Sequence, residues 1–185
     1  MNTYVALLRG INVGGRKLIK MDQLLQIFTA AGCRNVRTFI QTGNVIFESS
    51  SKDTKALTRK IERALEAKLG YSVTVILKQL SQLESIVKRN PFKKFAAETE
   101  AVPFVVFFNG EPDSQLKLPL KWPAENLEVF EIKDGAALVV ARRKQNGRFD
   151  FPNAVLEKNF GVSATTRNWN TVQKIVAAAL QNREQ

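Results

Sequence analysis

The chain of 185 residues contains no histidine and a single cysteine. Without imidazole, neither a histidine-based triad nor the usual nitrogen ligands of zinc can be assembled, and one thiol cannot close an internal disulfide. No metal and no cofactor are expected on these grounds. General acid–base work would fall to Asp22, Glu48, Lys17 or a tyrosine, so the sequence assigns no catalytic residue. Cys33 follows Gly32 at an expected helix end, where neither a base nor a helix N-terminus would activate it, and a buried inert thiol is the expectation. No apolar run approaches the roughly 18 residues of a membrane span. The first residues, Met1-Asn2-Thr3-Tyr4, also lack the basic and then apolar regions of a secretory signal. A cytoplasmic protein without a membrane partner is expected. Coiled-coil heptads are missing too, and the oligomeric state stays open.

What is present is enough apolar side chain, 44% of residues, to bury a core in one ordinary domain or two small ones. The formal charge of +11 is unevenly spread. Residues 1–90 hold 15 lysines and arginines against 6 acidic residues, and residues 91–185 hold 13 against 11. Such a field suits nucleic acid, nucleotides or anionic small molecules, and equally the solvated helix faces that Lys55, Arg59, Lys60 and Arg63 would make.

Tyr4 to Arg9 reads as a buried strand bounded by Gly10. Met21, Leu24, Leu25 and Phe28 recur at helical spacing ahead of Gly32. Val36–Gln41 and Asn44–Glu48 form a hairpin about Thr42-Gly43; Leu57, Ile61, Leu65 and Leu69 mark a second helix, and Ser72–Leu77 a fourth strand. The order strand, helix, strand, strand, helix, strand predicts an α+β fold whose first half is a ferredoxin-like βαββαβ unit. A third helix begins with the capping box Ser81–Glu84 and stops near Asn90, before Pro91. The expected division is 1–90 and 91–185.

The second half opens with the strand Pro103–Phe108. Leu118–Pro123 is too rich in proline to be regular, Leu127–Lys133 and Ala136–Arg142 form a hairpin about Asp134-Gly135, and Arg142–Arg148 is a basic loop. A short helix runs from Pro152 to Gly161. The C-terminal helix follows, with Asn170 as its expected N-cap. Similar element order makes the second α+β half a relative of the first, although no residue-level repeat accompanies it.

Topology places the end of the first strand, the start of the first helix and the hairpin turn at one end of the sheet. Arg9, Asn12, Gln41 and Asn44 then share an edge. Gly14 and Gly15 would leave backbone N–H groups open there, with Arg16, Lys17 and Lys20 adding charge, and such a loop favours an anion. Equally, the glycines can serve a sharp strand-to-helix connection. Their spacing matches neither a phosphate loop nor a dinucleotide fingerprint. Near the C-terminus, Asn168 and Trp169 have ordinary capping and packing roles, whereas Arg167 is required by neither and is a candidate for the same ligand site, together with Asn168.

Three stretches, Leu8-Arg-Gly-Ile-Asn-Val-Gly-Gly15, Phe39-Ile-Gln-Thr-Gly-Asn-Val45 and Thr165-Thr-Arg-Asn-Trp-Asn-Thr-Val172, together resemble the bacterial domain-of-unknown-function 1697 family. The resemblance implies a two-part α+β fold with a ferredoxin-like first domain and supplies no activity. The residues themselves favour binding of an anionic ligand, nucleic acid or a nucleotide-like small molecule, at the edge made by Arg9–Gly15 and Gln41–Asn44. Tyr4 and Phe47 are the only aromatic side chains on the two central strands that could stack on bases. An enzyme acting on a phosphorylated or carboxylated small substrate is one alternative. A protein interaction module is another.

Overall fold

The computed structural model describes residues 1–12, 18–112 and 116–181. Backbone proximity groups it into two compact units, Met1–Leu83 with Ile175–Gln185, and Glu84–Lys174.

The first unit is built around strand β1, Asn2–Leu8. Its residues Tyr4 to Leu8 are all buried, so the strand reads as an unbroken apolar run instead of an alternating one. β1 pairs with β3 (Asn44–Ser49) on one side and β4 (Val75–Gln79) on the other, and β3 pairs with β2 (Arg34–Phe39). The order is β2-β3-β1-β4 with every pair antiparallel. With α1 (Met21–Ala30) after β1 and α2 (Thr54–Leu69) after β3, this is the ferredoxin-like arrangement expected from the sequence.

The helices bury their apolar stripes on one sheet face. Leu24, Ile27 and Phe28 of α1 and Leu57, Ile61 and Leu65 of α2 join Tyr4, Ala6, Leu8, Val45 and Phe47 in a single core. Tyr4 and Phe47 stack at 5.8 Å, Phe28 meets Phe47 edge-on at 5.5 Å, and the Tyr4 hydroxyl donates to the Ser51 carbonyl at 2.7 Å. Both Tyr4 and Phe47 are wholly buried, so neither offers a ring to a base. Asp53 caps α2 by accepting from the Ala56 N–H at 2.9 Å, and Gly70 closes it in the left-handed conformation.

The second unit carries β5 (Ala101–Phe108), β6 (Leu120–Trp122), β7 (Leu127–Lys133), β8 (Ala136–Arg142) and β9 (Ala164–Asn168), in the order β6-β7-β8-β5-β9. Read with β5, β7, β8 and β9 in the places of β1, β2, β3 and β4, the order is that of the first sheet, again antiparallel throughout. The helix α4 (Pro152–Phe160) matches α2 in position along the chain. Nothing matches α1: the connection from β5 to β7 holds the short strand β6 and no helix among its described residues. The relation expected between the halves is therefore one of topology. α3 (Leu80–Arg89) joins the two sheets along the chain, and α5 (Trp169–Leu180) ends it.

Three local expectations change. Leu120–Trp122 is regular after all, as an edge strand paired only with β7, the setting in which flanking prolines are tolerated. α3 begins at Leu80, ahead of the expected Ser81 cap, and it is Gln82 whose side chain accepts from the Gln79 N–H at 3.0 Å. α5 begins at Trp169, and its cap is Asn168, which accepts from the Thr171 N–H at 2.7 Å; Asn170 lies inside the helix.

Cys33 is buried in the first core, and burial pushes its thiol up to about 11 against a weaker opposing pull from Lys60. The native thiol therefore keeps its proton where an unfolded one ionises. Its contribution to stability is complete below the ordinary value of 9.0 and fades as pH rises toward 11. Urea melts of the wild type and Cys33→Ala between neutral pH and about pH 11 should show the wild type losing more stability than the variant over that interval. Parallel losses would contradict the assignment.

Candidate functional site

β1 ends where the hairpin turns back. Leu8 donates its N–H to the Gly43 carbonyl at 2.8 Å, and Arg9 donates its own to the Thr74 carbonyl at 2.9 Å. Four residues, Ile40 to Gly43, make the turn between β2 and β3. Gly43 has two reasons to be glycine. Its φ is +76°, and a Cβ placed there would lie 2.7 and 2.8 Å from the Ile11 side chain and 3.0 Å from that of Leu8. The turn thus sits directly on the residues that leave the first strand.

Asn12 completes the joint. Its carboxamide nitrogen donates to the Gln41 carbonyl at 2.8 Å and to the Ile19 carbonyl at 3.1 Å, while its oxygen accepts from the Ile19 N–H at 2.8 Å. One side chain therefore holds both ends of the loop, Asn12 and Ile19, and fastens them to the hairpin turn. The backbone at Asn12 is left-handed, φ +54°, a conformation asparagine accepts more readily than most residues. Asn44, fully buried, does comparable work inside the turn by donating to the Phe39 carbonyl at 3.1 Å and to the Thr42 hydroxyl at 3.0 Å.

Around this joint Arg9, Lys20, Gln41 and Thr42 are exposed. So are two apolar side chains, Leu18 and Ile40. Ile40 has φ +49°, which a β-branched residue adopts only at a cost of about 1–3 kcal/mol. Of the residues expected at the site, Arg9, Asn12, Gln41 and Asn44 are brought together at this edge, whereas Gly14 and Gly15 lie outside the described residues. Thr42 and Gly43, expected as the turn at this edge and not as ligand residues, belong to the joint. The Thr-Gly dipeptide between two strands was their signal, but the approach of Ile11 could not be read from it.

Arg167 and Asn168 stand in the second unit, at the end of β9. Asn168 is the α5 cap described above. Arg167 is 8% exposed and its guanidinium donates to the Thr165 hydroxyl and the Thr166 carbonyl, each at 2.9 Å. Burial lowers its pKa to about 10, which leaves it charged at neutral pH. Among the described residues no three Cys, Asp or Glu side chains gather as a metal-binding group would, and no helix is long and apolar enough to cross a membrane.

The sequence pattern of the family described as "Protein of unknown function (DUF1697)" matches residues 1–137, which include the loop, the turn and the whole first sheet. The chain belongs to that family. No curated protein matches it. Among solved structures, the fold is similar to that of the conserved bacterial protein SP0830 from Streptococcus pneumoniae, at 22% identity and a TM-score of 0.71, over 97% of this chain and 98% of the other. At that identity the likeness shows the shared α+β fold, and it extends beyond the family match through the second sheet.

The joint makes a stability prediction. Asn12→Ala removes three hydrogen bonds at a left-handed position and should cost about 2–3 kcal/mol in urea melts. Gly43→Ala should cost more than Gly70→Ala, because both are left-handed but an added Cβ at Gly70 meets nothing within 4 Å. Equal losses for the two glycines would show that the Ile11 contact yields easily.

Proposed function

We propose that this protein, in the cytoplasm, binds a phosphate-bearing anion of the nucleic-acid or nucleotide kind at the edge formed by the Arg9 loop and the Ile40–Gly43 turn. The observation that supports the reading most is the Asn12 clamp. It fixes the two ends of a loop of glycines and cations against a turn and leaves exposed Arg9, Lys20, Gln41 and Thr42 around it. Fixed ends reduce the ordering that a ligand must impose, and cations with backbone N–H groups are the groups that recognise phosphate oxygens. The strained, exposed Ile40 belongs to the same edge, and strain of this sort gathers where a chain contacts ligands. Gly14 and Gly15 remain part of the proposed ligand set, whereas Arg167 and Asn168, bonded within the second unit, are left out of it.

A second reading, a protein interaction module, draws on Leu18 and Ile40, which are 72% and 47% exposed beside the same loop. Salt separates the two. Phosphate recognition weakens steeply as salt rises, whereas an apolar contact does not.

The test is calorimetric titration with ATP at low salt. Binding by the wild type, a loss of about tenfold or more in the Arg9→Ala/Lys20→Ala variant and a shallower salt dependence are expected. An absence of ATP binding, or ATP binding unchanged by the double substitution, would contradict the proposal.

A further inference from the structure

The second unit carries a different feature, which the loop and turn do not use. Among the described residues α4 is the one helix in the core on its face of the second sheet, and Phe160 of α4, Trp122 of β6 and Phe149 of the loop before α4 pack against that core. Phe104 of β5, Phe149 and Phe151 form a cluster of three rings, with centroids 5.4 Å apart for Phe104–Phe149, 5.4 Å for Phe104–Phe151 and 5.6 Å for Phe149–Phe151. Exposure increases through the cluster: Phe104 is buried, Phe149 is half-buried and Phe151 is 61% exposed. The chain has 12 phenylalanines, 2 tyrosines and 2 tryptophans, and Phe151 is the exposed one. An apolar core does not need such a ring at its surface.

The loop that leads to these rings is basic and tightly folded. Lys144 donates its N–H to the Arg148 carbonyl at 2.7 Å and Gly147 donates to the Lys144 carbonyl at 2.8 Å, closing a turn that begins where Arg143 bonds the Glu100 carbonyl at 3.0 Å. Arg142 is held by Glu98 and Glu128, and Lys144 by Asp150. Arg143 and Arg148 have no carboxylate partner among the described residues, and both are exposed. The Arg143 guanidinium lies over the Phe149 ring at 5.5 Å and is steadied by a bond to the Gly147 carbonyl at 3.0 Å.

We infer that this surface, Arg143, Arg148, Phe149 and Phe151, binds single-stranded nucleic acid, with a base stacked on Phe151 and the two arginines on the flanking phosphates. An exposed ring supported from beneath by two others supplies a flat apolar face already in place, and two uncompensated guanidinium groups beside it supply charge of the matching sign. Duplex DNA fits the surface poorly because its bases are already stacked. An acidic peptide would satisfy the arginines but would make no particular use of the ring.

Fluorescence anisotropy of the full chain with a labelled oligo-dT of about 10 nucleotides, and with a blunt duplex of equal length, tests this. Phe151→Ala should weaken single-strand binding about tenfold while leaving the melting temperature unchanged, and Phe151→Tyr should restore it. Arg148→Glu should weaken binding and flatten its salt dependence. Equal affinity for Phe151→Ala and wild type would overturn the inference. So would equal affinity for duplex and single strand, or displacement of the oligonucleotide by poly-glutamate as readily as by unlabelled oligo-dT. The Phe151 effect should persist in Arg9→Ala/Lys20→Ala, which separates the fate of this surface from that of the loop edge.

Discussion

The first unit depends at one end on three hydrogen bonds made by the Asn12 side chain. A strand that must lead into a helix across the end of a sheet leaves backbone groups without partners, and a polar side chain must satisfy them or water must. Asn12 does so for both backbone groups of Ile19 and for the Gln41 carbonyl of the adjoining turn. Gly43 permits the approach because any side chain there would occupy the space of Ile11. Together they join the end of β1, Ile19 ahead of α1 and the β2–β3 turn into one corner. The exposed Arg9 and Lys20 flank that corner, so local order and the proposed ligand contact have the same cause.

The two sheets solve the same packing problem with different material. Each has a central strand with a buried run, Tyr4–Leu8 in β1 and Phe104–Phe108 in β5, flanked by the same antiparallel order of strands. The first uses two amphipathic helices over one face. The second, among its described residues, uses one helix with the ring of Phe149 packed beside it. Rings cover apolar area with few torsions to fix, but they do not taper into a polar outer face as an amphipathic helix does. The outermost, Phe151, is left largely in solvent, next to the cations of the preceding turn.

Much of this was legible because the chain is locally consistent. Leu127–Lys133 and Ala136–Arg142 were read to the residue, since Asp134 and Gly135 are residues that accept the left-handed geometry a tight hairpin needs, and both adopt it. Apolar spacing ahead of a terminal glycine located α1, and Pro152 with Gly161 located α4. Caps were read less well. Three polar residues in the 168–171 stretch could each begin a helix, and only the backbone path selects Asn168. At the candidate site, the shared edge followed from strand order, and the roles within it did not. Asn12 and Asn44 are similar as letters, yet one ties a loop to a turn and the other closes the turn from inside. Phe149 and Phe151 carry no signal in the sequence, because phenylalanines near a basic loop have no periodicity and their grouping comes through Phe104, more than 40 residues earlier in the chain.

The central claim is that the corner held by Asn12 presents an anion-binding edge, and amide chemical shifts during titration with inorganic pyrophosphate test it most directly. The account predicts saturable shifts concentrated at Arg9–Asn12, Leu18–Lys20 and Ile40–Gly43. Shifts distributed over the exposed cations of α2, such as Lys55, Arg59 and Lys60, with none at the corner, would contradict it.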